Sequence, residues 1–185
     1  PAALFRIDDN IRRTEWLLGP CPEPGAAIRA ALERAGTGGS PALIEEIDRA
    51  GRRGRGGAGF AVAAKWEACR SAPGSIRYVV CNADEGEPGT FKDRVLLSSR
   101  AELVFDGMTV AAIATGATRG MLYLRGEYAF LRDALDRVLQ RRRRDGLLGA
   151  GICGSRVDFD IEIHLGAGAY VCGEETALLE SLEGK

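Results

Sequence analysis

Histidine is almost missing: His164 is the only one in 185 residues. A Ser-His-Asp triad or a histidine-rich metal centre therefore finds no support, and His164 itself reads as a strand residue without a chemical role. Cysteine is scarce and scattered. The five cysteines, Cys21, Cys69, Cys81, Cys153 and Cys172, are odd in number and form no Cys-x-x-Cys pair. That argues against a complete zinc or iron-sulfur site within these residues and points to a reducing compartment. No apolar run approaches the roughly 18 residues of a membrane span, and the opening residues do not read as a secretory leader. Charge of one sign is also lacking. A net charge of −1 and a pI near 6.0 create no global field for nucleic acid. A soluble, cytoplasmic protein that neither enters a membrane nor binds nucleic acid is expected, with no metal ligands of its own. The one basic run, Arg141 to Arg144, reads as cations at a helix C-terminus capped by Gly146, the placement a helix macrodipole favours.

Glycine, by contrast, is abundant, with 25 residues, and hydrophobic residues make up 45% of the chain. Residues 1–25 read as an N-terminal arm, anchored by Trp16, Leu17 and Leu18 and punctuated by Pro20, Pro22, Pro24 and Gly25. Helices are expected from about Ala26 to Ala35 and from Pro41 to Ala50, where Leu43, Ile44 and Ile47 share a face. Gly36 to Ser40 turns between them. A helix from about Ala61 to Ser71 comes after a glycine loop. Ile76 to Cys81 reads as a buried strand after the Pro73-Gly74 turn. An apolar helix is expected from Ala101 to about Ala117, a strand at Met121 to Leu124, and an amphipathic helix from about Glu127 to Arg143. The last strand, Phe159 to Leu165, alternates Ile161 and Ile163 with Asp160, Glu162 and His164. Strands alternating with helices predict an α/β fold, a Rossmann-like parallel sheet sandwich with helices on both faces.

Three stretches carry chemistry. Gly54 to Gly59 fits Gly-x-Gly-x-x-Gly, yet a helix rather than a strand precedes it, so an ordinary dinucleotide fingerprint is disfavoured. A glycine loop feeding a helix still offers backbone N–H groups to a phosphate, with Arg55 and Lys65 adding charge and Phe60 a ring to stack. The alternative is a flexible basic loop with Phe60 and Trp66 in the core. Asn82-Ala-Asp-Glu-Gly-Glu-Pro-Gly-Thr90 comes directly after the first strand, where parallel α/β sheets place their ligand crevice. Its acids suit hydroxyls of a ribityl or ribose chain. Gly166 to Ser181 packs small residues, Tyr170, Glu174 and Glu175 into a turn that enters a helix. It reads equally as a cofactor floor or as a turn whose acids complement the helix dipole.

Together, Gly54-Arg-Gly-Gly-Ala-Gly-Phe60, Asn82 to Thr90 and Gly166-Ala-Gly-Ala-Tyr-Val-Cys-Gly-Glu-Glu-Thr176 resemble the flavoprotein subunit of respiratory complex I. The relatives of that subunit include the diaphorase subunit of NAD-reducing hydrogenase and the β subunit of NAD-dependent formate dehydrogenase. The resemblance runs from about Ala26 to Lys185 and implies a domain over 26–185, incomplete at its C-terminus, that holds FMN non-covalently and admits NAD(H). By motif, Gly54, Gly56, Lys65, Asn82, Asp84, Tyr170, Gly173 and Glu174 would line the FMN, with Lys65 toward its phosphate. Phe60, Glu87 and Glu175 would face the nicotinamide nucleotide. Arg55, Gly57, Glu85, Gly166, Gly168 and Thr176 complete the cofactor-binding set. Hydride would pass from nicotinamide C4 to flavin N5, and no side-chain acid or base is invoked.

The resemblance also implies electron exit to iron-sulfur clusters outside these residues. The family's 4Fe-4S cluster is expected only beyond Lys185, and the implied partners are iron-sulfur subunits and a 2Fe-2S thioredoxin-like subunit. The chain is thus expected to be a fragment that binds FMN weakly by itself. Most of the family has proline where this chain has Ala61, although the Lys65-Trp66 pair is kept. Val80-Cys-Asn82, Phe91-Lys-Asp-Arg-Val-Leu-Leu97 and Tyr123-Leu-Arg-Gly-Glu-Tyr128 look closer to the soluble hydrogenase diaphorase than to complex I. A complex I subunit and a formate dehydrogenase subunit are alternatives. From another class, a non-catalytic subunit-docking module would not require the polar residues all three motifs keep, and a Rossmann dehydrogenase would require the missing first strand.

Overall fold

The first strand runs two residues past its apolar run, through Asn82 to Ala83, and two further strands extend the sheet from one of its edges. The computed structural model describes residues 19–55, 57–166, 168 and 173–184. Strands β1 (Tyr78–Ala83), β2 (Arg119–Leu124) and β3 (Asp160–Leu165) lie side by side in that order, all parallel. Tyr78 pairs with Arg119, which pairs with Asp160, and Ala83 pairs with Leu124, which pairs with Leu165, so the three carboxyl ends are level. The strand expected at Ile76 to Cys81 is displaced by two residues toward the C-terminus. It is also less buried than its composition suggests: among the described residues β1 is an edge strand, and Ile76 is 59% exposed.

Helices α1 (Ala26–Arg49), α2 (Val62–Ser71), α3 (Lys92–Thr115), α4 (Arg132–Arg144) and α5 (Glu175–Leu182) surround the sheet. Two successive parallel crossovers that advance in one direction place their helices on one face, given the right-handed rule. Accordingly Leu122, Leu124, Ile161 and Ile163 pack with Phe105 and Met108 of α3 and Leu135 and Leu139 of α4. Side chains of the other face, Val80 and Tyr123, meet Leu178 and Leu182 of α5. Helices therefore cover both faces, as the alternating pattern predicts. Outside α3 a third layer forms from Ile28, Leu43 and Ile44 of α1 and Ala63 of α2 against Ile113 and Ala114.

Several boundaries differ for physical reasons. The helices expected on either side of Gly36–Ser40 are continuous except at Gly39, whose φ of 74° and ψ of 175° break the spiral just before Pro41. Helix α3 starts nine residues earlier than Ala101, at Lys92, and bends at Arg100, where φ is −138°. The segment before α4 is a 3-10 turn, Gly126–Leu131, rather than α-helix. At the end of α4, Gly146 (φ 68°) takes the left-handed position, with Leu147 N donating to Arg142 O and Gly146 N to Arg143 O, a Schellman closure. Arg142 does more than complement the dipole. It is 0% exposed and binds Glu102 and Asp106, each at 2.6 Å. Trp16, Leu17, Leu18, Gly56, Tyr170 and Cys172 lie outside the described residues. Among the described residues no helix is long and apolar enough to cross a membrane, and no His, Cys, Asp and Glu cluster could hold a metal ion.

Candidate functional site

The carboxyl end of β1 delivers Asn82 and Asp84 to the rim of the sheet, beside the entry to α5. Asn82 joins the two segments: its Nδ2 donates to Gly173 O at 2.9 Å, and its Oδ1 accepts from Asp84 N at 3.1 Å. The approach is close enough that a Cβ on Gly173 would lie 3.3 Å from Asp84 O, which explains the small residue there. Gly166 is required more strictly, since a Cβ would lie 2.9 Å from the Tyr123 ring. Between these segments opens a cleft of about 590 Å³, within the range of small-molecule pockets. Arg55, Asn82, Asp84, Glu85, Glu87, Gly173 and Glu174 line it, together with Gly86, Thr90, Lys92 and Asp93.

Most of the acids at this cleft are already engaged within the protein. Glu85 is 5% exposed and anchors the start of α3, accepting from Asp93 N at 3.1 Å, Arg94 N at 3.4 Å and Tyr128 Oη at 3.1 Å. Burial pushes its carboxyl up, but those hydrogen bonds and the nearby Lys92 charge outweigh it and hold the group below the usual carboxylate range. Glu174 caps α5, its Oε2 accepting from Thr176 N at 3.0 Å and Ala177 N at 3.1 Å, and these bonds lower its pKa. Asp93 pairs with Lys92 at 2.7 Å. Glu87 shapes its own turn, its carbonyl accepting from Thr90 N and Thr90 Oγ1 at 3.1 and 2.6 Å.

Asp84 differs. Its Oδ2 is enclosed yet accepts no hydrogen bond from the described residues. Burial raises its pKa, opposed by the Arg125 guanidinium and reinforced by the Glu127 carboxylate. A shielded oxygen without a donor, on a residue lining a cleft, is the chemistry of a group awaiting an external donor such as a hydroxyl.

The glycine loop stands apart from a Rossmann turn. A bridge between Arg53 and Ala61, with Gly54 N donating to Phe60 O at 2.9 Å and Val62 N to Arg52 O at 3.0 Å, closes its neck. Gly57 and Gly59 take positive φ of 150° and 64° within it. Phe60 is 62% exposed rather than in the core, while Trp66 packs partly buried against the outer layer. From α2, Lys65 Nζ reaches Glu175 Oε1 of α5 at 2.8 Å, both side chains well exposed. The geometry thus brings the glycine loop, the β1 loop and the α5 entry to one end of the sheet. Gly54, Gly57, Phe60, Lys65, Gly166, Gly168, Glu175 and Thr176 are not among the cleft-lining residues, and Gly56 and Tyr170 lie outside the described residues. Thr90, Lys92 and Asp93 line the cleft without being marked by the motifs as binding residues. Their signal is the acid-rich loop running straight into a Lys-Asp pair, legible only once α3 is known to start there.

Comparison with known proteins is consistent along most of the chain. It is 58% identical over 144 residues to the NAD-reducing hydrogenase HoxS subunit alpha of Cupriavidus necator, covering 77% of this chain and 24% of that protein. It is 46% identical over 154 residues to an NADH-quinone oxidoreductase subunit of Escherichia coli, covering 82% of this chain and 35% of that one. The crystal structure of NAD+-reducing NiFe hydrogenase in the H2-reduced state superimposes with a TM-score of 0.72 at 50% identity, over 84% of this chain and 26% of that one. The chain thus spans about a quarter to a third of the length of these relatives. The family described as the Nuo51 FMN-binding domain matches residues 47–185, which include the glycine loop, the β1 loop with Asp84 and the entry to α5. With every element of the cleft inside that match, the chain belongs to the Nuo51 FMN-binding domain family.

Proposed function

We propose that this chain is the FMN-holding part of an NADH:acceptor oxidoreductase, specifically a diaphorase module of a soluble NAD-reducing hydrogenase. The enclosed Oδ2 of Asp84, without a hydrogen-bond partner among the described residues, at a cleft of about 590 Å³ carries the reading. The donor set fits FMN: a carboxylate acceptor and the Asn82 amide suit ribityl hydroxyls, and Arg55 and Lys92 supply positive charge. When bound, FMN supplies hydride acceptance from NADH and one-electron delivery to iron-sulfur centres, which no side chain here provides.

The chain's own residues bind and orient. Asp84 and Asn82 fix the cofactor by hydrogen bonds, with Glu85 holding their loop against α3. Lys65 faces the phosphate; its exposed pair with Glu175 is weak enough to exchange for a better anion. Phe60, Glu87 and Glu175 receive the nicotinamide nucleotide, Phe60 with the exposed ring that stacking needs. Motif resemblance assigns Tyr170 and Gly56 to the cofactor as well. In a multisubunit complex, a 4Fe-4S cluster outside these residues, iron-sulfur subunits and a 2Fe-2S thioredoxin-like subunit would supply the onward electron path. The higher identity to the hydrogenase subunit, 58% against 46% for the Escherichia coli quinone oxidoreductase, favours that parent.

Titration of the full-length subunit with FMN should quench flavin fluorescence, and NADH should then bleach the visible flavin band. Replacing Asp84 by Ala should weaken FMN binding by roughly 10- to 100-fold, the effect of losing one hydrogen bond to a charged group. A folded protein that neither quenches nor bleaches would instead be a subunit-docking module.

A further inference from the structure

Arg125 comes directly after β2, and its backbone extends the ladder, Arg125 N donating to Ala83 O at 3.1 Å. Its side chain does not line the cleft. It turns instead to the back of the β1 loop: Nη1 donates to the carbonyl of Glu85, Nη2 donates to Glu127 Oε1 at 2.9 Å, and the guanidinium lies 5.7 Å from the centre of the Tyr128 ring. Tyr128 in turn donates to Glu85. Arg125 therefore grips the Glu85–Gly86 peptide, one residue beyond Asp84, as a rigid three-point clamp that a flexible ammonium cannot copy.

We propose that Arg125 is a positioning residue for the cofactor: by holding the Glu85 carbonyl it fixes the backbone of the β1 loop next to Asp84, so that the Asp84 carboxylate stays placed to accept a hydroxyl. This rests on the FMN reading above. The electrostatic surroundings support it. Burial favours a protonated Asp84, Arg125 opposes that and Glu127 assists it. The other charged groups around the same cleft are Lys92 and Asp93 at the start of α3, Arg55 of the glycine loop, Glu85 and Glu87 of the β1 loop, and Glu174 at the start of α5. The charges that act on Asp84 are those of Arg125 and Glu127, in opposite directions.

The test is FMN affinity of the full-length subunit, followed by fluorescence quenching from acid to neutral pH, with folding checked by circular dichroism. The wild-type protein should lose affinity in acid as Asp84 protonates, and Asp84→Asn should remove that acid limb. Arg125→Gln should move the limb up by roughly one pH unit, the usual reach of one nearby opposite charge. Glu127→Gln, at an exposed position, should move it down, and this carries the test if Arg125→Gln does not fold. A wild-type protein that binds no FMN would sink the cofactor reading itself. A wild-type protein that binds FMN without an acid limb, or with a limb that Asp84→Asn keeps or neither charge change moves, would overturn the role of Arg125.

Discussion

Asp84 shows how a binding residue weighs against its own fold. Its carboxyl is raised by burial, with Arg125 pulling the other way, so its folded pKa lies above the unfolded one. Its contribution to stability is then fully present below the unfolded value and lost as pH rises through the folded value. At neutral pH an enclosed carboxylate oxygen with no donor among the described residues is a net cost. We predict that Asp84→Asn stabilises the cofactor-free protein at neutral pH by about 1 kcal/mol, the low end for an unsatisfied group because the residue is partly screened by solvent. The gain should vanish in acid. Thermal melts across pH, with and without FMN, check both the sign and the trade-off. The residue's identity is legible from the acid-rich loop after a strand. That its Oδ2 finds no donor among the described residues is not, because satisfaction of a hydrogen bond is a property of everything that surrounds an atom.

At the scale of elements, Glu85 links the β1 loop to α3. A carboxylate at a helix N-terminus meets free N–H groups and the positive end of the dipole, and here Asp93 N and Arg94 N supply them. The cap comes from outside the helix, well upstream of its first turn, so no capping box marks Lys92 as a start. That is why the apolar pattern alone places the beginning of α3 at Ala101. Because Glu85 is held below its ordinary range, its stabilisation is present above the unfolded pKa and fades as pH falls through the folded one. Glu85→Gln should cost about 1.5 to 3 kcal/mol near neutrality and progressively less in acid. Hydrogen exchange of the first turn of α3 should accelerate in the same variant; unchanged exchange there would show that α3 holds its own end.

The whole molecule is tied together at the end of the sheet away from the cleft. Arg142 of α4 binds Glu102 and Asp106 of α3, and Asp106 accepts from Gly25 N at 3.0 and 3.2 Å, which fixes where the chain enters α1. Helices α3 and α4 and the entry to α1 thus share one buried ionic cluster. Removing one partner leaves uncompensated buried charge, so Arg142→Met should destabilise by about 3 to 5 kcal/mol in chemical denaturation. The helix runs antiparallel to the strands, which places Arg142 far along from their carboxyl ends. The folded fraction should therefore keep its FMN affinity. A small loss of stability would mean that Glu102 and Asp106 find other donors.

Local preferences are written into the chain. Apolar alternation at Ile161 and Ile163 set β3, the helical spacing of Leu135 and Leu139 set α4, and Gly146 closed it. The three polar motifs named their chemistry because close backbone approach and hydroxyl binding demand particular residue types. Only the tertiary structure decided which of those residues share a cleft, that Arg142 is interior rather than part of a surface run, and that Phe60 is outside. It alone showed Arg125 on the Glu85 carbonyl next to Asp84. Those outcomes depend on contacts between residues 36 to 91 positions apart, such as Arg142 with Asp106 and Asn82 with Gly173. Pattern and propensity act over one or two turns of chain, whereas burial and charge pairing are fixed by neighbours that only folding brings near.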